Sequence, residues 1–293
     1  MDERNKKPAA IRDISVPLTV IKVLISPYLR ITALRCIASI LKNFFLLQYR
    51  AALNPGIVPV TRVDHPLDNK IPFLPCKVNL YLDFVASWVR SIGFLLRIKK
   101  PGRRALESVR YFMESMGSLY AWAAQVYEKN MSTTNRPFYI QNLHFLVIHI
   151  ADPHLLCIPS LHVMIVIRTY TLMRKIWRDA GDELLFAPQV NELYSGALAI
   201  TEAVLFIKQH SVNCIPAAMY TMTRFDESLF PPDEAERFAA DLFQKTKKPG
   251  PADADEIRKH IVSIYRRFLA QGEAAGSDWT KPLLDFLIEL PKR

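Results

Sequence analysis

The chain has 293 residues, half of them hydrophobic, a formal charge of +10 and a mean hydropathy of only +0.07. That is too apolar for a disordered chain and rather polar for a protein built wholly of membrane spans. Glycine is scarce, at 9, and proline is plentiful, at 20, which argues against a turn-rich β sandwich; no GxGxxG, Walker loop or GxSxG occurs.

In chain order, residues 15–50 read as amphipathic basic helices broken near Pro27, with Lys22 and Arg30 interrupting any signal-peptide pattern. Residues 51–77, with Pro55, Pro59, Pro66, Pro72 and Pro75, read as loop. An apolar stretch over 78–97 carries Asp83 and Arg90, and Pro101-Gly102 ends it. Val109, Phe112, Met116, Leu119 and Ala123 mark a helix over 105–128. Residues 129–137 are polar. Residues 138–176 predict two helices divided at Asp152-Pro153 or Pro159, and residues 193–222 another helical stretch interrupted by Pro216. Beyond Pro231-Pro232 the charges become dense, and 235–243 and 256–270 read as soluble amphipathic helices. No segment alternates as strands do, so the chain reads as all-α. Its regions are amino-terminal amphipathic, membrane-associated helices (1–63), a helical core (64–225) and a charged helical extension (226–293).

Arg30, Arg35, Lys42 and Arg50 interleave with apolar residues. This pattern fits an anionic lipid surface better than nucleic acid, although a merely solvated basic face is the alternative. The apolar runs 137–151, 153–167 and 209–223 have lengths suited equally to core helices and to interfacial segments. Cys36, Cys76, Cys157 and Cys214 show neither CxxC nor zinc spacing and read as buried, reduced thiols. His144, His149 and His154 recur every five residues, unlike a helical metal pair, and read as structural.

Three stretches carry possible chemistry. Lys129 and Arg136, followed by Pro137, offer two cations suited to phosphate oxygens. Pro159-Ser160-Leu161-His162 opens an apolar helix, where Ser160 can help present backbone N–H groups and His162 can donate a proton to a leaving oxygen. His210, in Lys208-Gln209-His210-Ser211-Val212-Asn213-Cys214, can attack phosphorus as a neutral imidazole.

Together these residues resemble the type 2 phosphatidic acid phosphatase superfamily. Its first motif, Lys, six residues, Arg-Pro, matches Lys129, Arg136 and Pro137. Its second, Pro-Ser-Gly-His, matches Pro159, Ser160 and His162, with Leu161 for the glycine as in the sphingolipid and inositol phosphotransferase branch. Asp68 to Pro75, followed by Tyr81, looks like the pre-helix loop of that branch. The third motif, Ser-Arg, five residues, His, three residues, Asp, is degenerate. If His210 is its histidine, Ala203 and Val204 stand for Ser-Arg, and Cys214 stands for the aspartate. Glu202, read on the same helix face, and Asn213 are the possible orienting groups for His210.

The resemblance implies a helical bundle that takes a lipid phosphate at a membrane without metal or other cofactor. Lys129, Arg136 and Ser160 hold the phosphate, His210 is the nucleophile and His162 the acid. The two histidines are then expected on opposite sides of one pocket, with nitrogens about 5–8 Å apart. The missing third-motif groups keep a second reading open, an inactive member that binds lipid phosphate or a protein partner. An unrelated helical scaffold is the third.

Overall fold

The computed structural model describes residues 10–97 and 102–290; the first nine residues and Pro101 of the sequence reading lie outside them. Helices dominate, and proline starts several of them. Ser15 accepts the Leu18 N–H at the start of α1 (Val16–Ile25), and Pro27 begins α2 (Pro27–Ile40), its missing N–H being one that a first turn leaves unpaired anyway. A π-helical turn, Leu41–Leu46, carries α2 into α3 (Leu47–Leu53). Then come α4 (Val78–Leu95), α5 (Arg103–Tyr127), α6 (Leu143–Ala151), α7 (Leu161–Asp179), α8 (Ala187–Phe206) and α9 (Cys214–Phe225). The carboxyl-terminal region forms α10 (Pro232–Asp241), α11 (Pro251–Ala275) and α12 (Lys281–Glu289).

Helix α7 is the axis of the bundle. It packs against α4, α5, α8 and α9, and every residue from Leu161 to Met173 is buried. A helix covered on all sides needs no polar face over its first thirteen residues, and its charged residues Arg174, Lys175, Arg178 and Asp179 gather in the last turns, which are less buried. Arg168 is the buried exception. It donates to Ser115 Oγ at 2.7 Å and pairs with Asp226 at 2.8 Å, so its charge is compensated where water is excluded. Around this axis, α2 lies along α5, α1 along α4 and α11 along α9.

Two short parallel strands, β1 (Val60–Arg62) and β2 (Met131–Thr133), pair Val60 with Met131, and Leu156 bridges to Ser132. The sequence reads both segments as polar loop, because three residues are too few for a visible alternation. Their pairing holds residues 131–133 beside the chain that leads into α7.

The apolar runs 153–167 and 209–223 lie inside this bundle. By contrast, Pro27–Leu53 is a 27-residue helical run long and apolar enough to cross a membrane, with 22% of its most apolar window buried. The core also continues into the extension beyond residue 226. Tyr220 meets Phe268 at 5.7 Å, Trp122 stacks on Trp279 at 4.9 Å, and the Thr223 and Tyr265 hydroxyls hydrogen-bond at 2.8 Å. One cysteine departs from the sequence reading: Cys76 is exposed, whereas Cys36, Cys157 and Cys214 are buried; all four are free.

Candidate functional site

Ser160 sits at the amino-terminal cap of α7 with extended backbone, yet its hydroxyl does not cap the helix. It lies instead 3.2 Å from His210 Nε2. His162, one residue into the helix, brings Nδ1 within 3.2 Å of the same His210 nitrogen. Residues 48 and 50 positions apart thus meet at one buried point. Tyr81 and Phe84 of α4 wall the His162 ring at 4.6 and 4.3 Å. Burial and the neighbouring His210 push the His162 pKa down to about 3, so the ring is neutral at ordinary pH.

His210 is not on a helix. Helix α8 stops at Phe206 because Lys208 turns into the left-handed region (φ 58°), and the Gln209 and His210 N–H groups then both donate to the Val204 carbonyl at 3.0 and 3.2 Å. This is the hydrogen-bond reversal that commonly closes a helix, here without the usual glycine. The Lys208 ammonium donates to the carbonyls of Asp68 and Ile71, and the Asp68 carboxylate accepts the Val212 N–H at 2.8 Å. The turn Pro66–Lys70, part of the stretch singled out in the sequence, therefore clamps the loop that carries His210. Pro216, read as the interruption, lies in the first turn of α9, where its missing N–H is harmless.

That loop breaks the helical stretch expected over 193–222 ahead of Pro216, between Phe206 and Cys214, and with it goes the shared face of Glu202 and His210. The Glu202 carboxylate accepts the Phe243 N–H at 2.6 Å. Asn213 donates to the Val63 carbonyl at 3.1 Å and accepts from His260 Nε2 at 2.8 Å. Neither orients His210.

The two cations of the first stretch part company. Arg136 donates to Gln209 Oε1 at 3.2 Å and to the Asp152 carbonyl at 3.0 Å, with the Asp152 carboxylate 4.0 Å away, which places it beside the histidines. Lys129 instead donates to Thr280 Oγ1 at 3.0 Å, next to the start of α12. The expectation that both grip one phosphate is corrected for Lys129.

Two groups that the sequence reading leaves out join the site. His154 reads as structural, but it lines the same cavity as His162, His210, Gln209 and Asp152, and so does Cys157. His154 Nε2 is 2.8 Å from Thr134 Oγ1 and 3.8 Å from Cys157 Sγ. Its N–H donates to Asp152 Oδ1 at 2.9 Å, and its Nδ1 is 3.9 Å from Asp152 Oδ2. Burial disfavours charge on His154, but the Cys157 thiol and Asp152 outweigh it and raise its pKa to about 9. Burial likewise disfavours ionised Asp152, yet His154 and Arg136 hold its pKa at about 2. Asp152 and His154 line the cavity, and Arg136 contacts Asp152. The run Asp152-Pro-His154-Leu-Leu-Cys157 holds three reactive side chains within six positions, a signal open to a reader not looking for helical spacing.

The cavity has a volume of about 10 Å³. That is room for roughly one water molecule, and not for a phosphoryl group between the rings. The expected 5–8 Å gap is closed to a direct contact of 3.2 Å, so a phosphate requires the two histidines to separate. Within the cavity lining, Gln209 Nε2 and His210 Nδ1 lack a well-formed hydrogen bond. Buried polar atoms of this kind are uncommon and mark a place where a small polar ligand is stabilised. Comparison with known protein families, with curated proteins and with solved structures finds no match for this chain.

Proposed function

We propose that the protein is a metal-independent lipid phosphate phosphatase or phosphotransferase of the type 2 phosphatidic acid phosphatase kind. The observation that carries this reading is the meeting of Ser160 and His162 with His210 Nε2, each at 3.2 Å. Residues picked for phosphoryl transfer from two separate motifs, Ser160 and His162 from one and His210 from the other, meet at one nitrogen, and a bland core histidine would not need two polar neighbours there. In this reading the phosphoryl group enters between the rings. His210 Nε2 attacks phosphorus and the bond to the leaving alcohol breaks. His162 is neutral at rest, and the incoming phosphate raises its proton affinity so that it carries the proton the alcohol needs. Arg136 and the charged His154 neutralise the phosphoryl oxygens, and water or an acceptor alcohol releases the group from His210.

The surface supports a lipid substrate. Leu34, Ile37, Leu41, Phe45 and Leu46 are exposed along the Pro27–Leu53 run, with Lys42 and Arg50 among them. Leu143, Val147 and Ile150 are exposed on α6, and the Tyr49 hydroxyl ties the two segments together by donating to the Ala151 carbonyl at 2.9 Å. An apolar face with basic residues suits insertion into an anionic bilayer. Phe44, from the same run, lines the cavity, which supports an acyl chain lying next to the histidines.

The small cavity and the Lys129–Thr280 contact favour a second reading, an inactive relative that binds lipid phosphate. One experiment separates the two. Purified protein is incubated with radiolabelled phosphatidic acid in mixed micelles, and released phosphate and acid-labile phosphohistidine are measured. Turnover that disappears in His210→Ala supports the enzyme. Saturable binding without turnover, weakened by Arg136→Ala, supports the inactive relative. Neither binding nor turnover overturns both.

A further inference from the structure

We propose that Cys157 is a hydroperoxide-reactive thiol and Cys214 its resolving partner, so that the core of this site is a reversible two-electron oxidation switch. The proposal does not depend on phosphoryl transfer.

Cys157 sits beside an imidazole that a carboxylate supports from the other side. Sγ is 3.8 Å from His154 Nε2, and the Asp152 carboxylate accepts the His154 backbone N–H at 2.9 Å and lies 3.9 Å from the ring Nδ1. This ordering of thiol, imidazole and carboxylate is the one that activates a cysteine by keeping a positive ring next to sulfur. Burial alone would hold Cys157 protonated, but the Cys214 thiol and His154 outweigh it and move its pKa well below the ordinary thiol value. Cys214 shows the opposite: burial first, then Cys157, raise its pKa well above the ordinary value, so it stays a thiol. The Cys214 thiol hydrogen-bonds to Cys157, and a low-pKa sulfur beside a protonated one forms an attacking and resolving pair. His154 itself is held at a positive φ of 62°, a conformation rarely taken by non-glycine residues and tolerated mostly where a side chain must be aimed.

The cavity supplies the second requirement. Cys157 lines it together with Gln209 and His210, and the buried Gln209 Nε2, which lacks a well-formed hydrogen bond, can bond a small polar molecule. Its volume of about 10 Å³ admits a molecule near the size of water and excludes bulky reagents. Among the described residues no three His, Cys, Asp or Glu side chains are arranged to hold a metal ion, which leaves the thiols free for oxidation.

The chemistry balances with hydrogen peroxide as the oxidant. The Cys157 thiolate attacks one peroxide oxygen and the O–O bond breaks. The departing hydroxide takes the His154 proton and leaves as water, and Cys157 becomes a sulfenic acid. The Cys214 thiol then attacks that sulfur, the S–O bond breaks, a second water leaves and a disulfide joins the two residues. A thiol reductant reverses the change. Because Cys214 follows the His210 loop directly and Cys157 precedes Ser160, the bond ties together the two segments that must part to admit a ligand between the histidines.

The test uses purified full-length protein, treated with dilute hydrogen peroxide and read by intact mass and peptide mapping. Exposed Cys76 is the internal reference thiol. The expected result is loss of two hydrogens, a Cys157–Cys214 cross-linked peptide, and oxidation of Cys157 ahead of Cys76. Cys214→Ser should stop at a dimedone-trappable sulfenic acid on Cys157. His154→Gln, or Asp152→Asn if that variant fails to fold, should slow the reaction about tenfold, because the rate follows the thiolate population. Oxidation of Cys76 before Cys157, absence of the cross-linked peptide, or an unchanged rate in both His154→Gln and Asp152→Asn would overturn the proposal.

Discussion

His162 offers a direct test of how tightly the site is sealed. Its pKa of about 3 stands against an ordinary value of 6.5 and arises first from burial, then from His210. In the unfolded chain the ring takes up a proton as pH falls through 6.5, whereas in the folded protein it resists until about 3. Between those values the unfolded state holds the extra proton, so stability drops as pH falls and returns as pH rises. A full pH unit is worth about 1.4 kcal/mol once the unfolded ring is mostly protonated, and at pH 6.5 it is half so, so lowering the pH from 6.5 to 4.5 removes about 2.3 kcal/mol through this one residue. His162→Gln keeps a hydrogen-bonding group opposite His210 and cannot titrate. Urea unfolding followed by tryptophan fluorescence at the two pH values should show the wild type losing about 2.3 kcal/mol more than the variant. His260 is also depressed, to about 4 by burial and by His65, but it titrates in both proteins and cancels in the comparison. Equal losses in wild type and variant, or a His162 proton resonance titrating near its ordinary value, would refute the sealed-site argument.

Further predictions follow from particular contacts. Asp226→Ala strands the buried Arg168 guanidinium with only Ser115 and the Phe225 ring, and should cost about 3 kcal/mol, with Arg168→Met added to Asp226→Ala recovering most of it in thermal melts. A Cβ added at Gly93 would fall 2.1 Å from Thr19 Oγ1 and 2.5 Å from an Ile14 methyl, so Gly93→Ala should lower stability by about 1–3 kcal/mol, whereas Gly196→Ala, in α8 with no atom within 4 Å, should raise it by about 0.5–1 kcal/mol. Inorganic phosphate or vanadate binding, followed by calorimetry, should weaken about tenfold in Arg136→Ala, which removes a charge at the cavity edge, and stay unchanged in Lys129→Ala, whose ammonium is held at Thr280.

The sequence by itself determined the helical class, the order of the helices and the residues worth watching. Those features are local: the 3.6-residue period of Val109, Phe112, Met116 and Leu119 is written into a short window, and so are the prolines that open helices. Ser160, His162 and His210 were legible as candidates because their chemistry is unusual in apolar stretches. Which of them meet was a tertiary matter. Lys129 and Arg136 lie seven positions apart, yet β2 and the chain after it send one toward Thr280 and the other toward Asp152. The reversal at Lys208 has no glycine to announce it; the carbonyls of Asp68 and Ile71 stabilise it from 140 and 137 positions away, and only the packed chain brings them there. The same packing took Glu202 and Asn213 to other partners, and gathered His154 and Cys157 around the cavity that His162 and His210 line. The sequence period could not foresee those pairings, because they depend on which helix faces lie opposite each other once the core around α7 has closed.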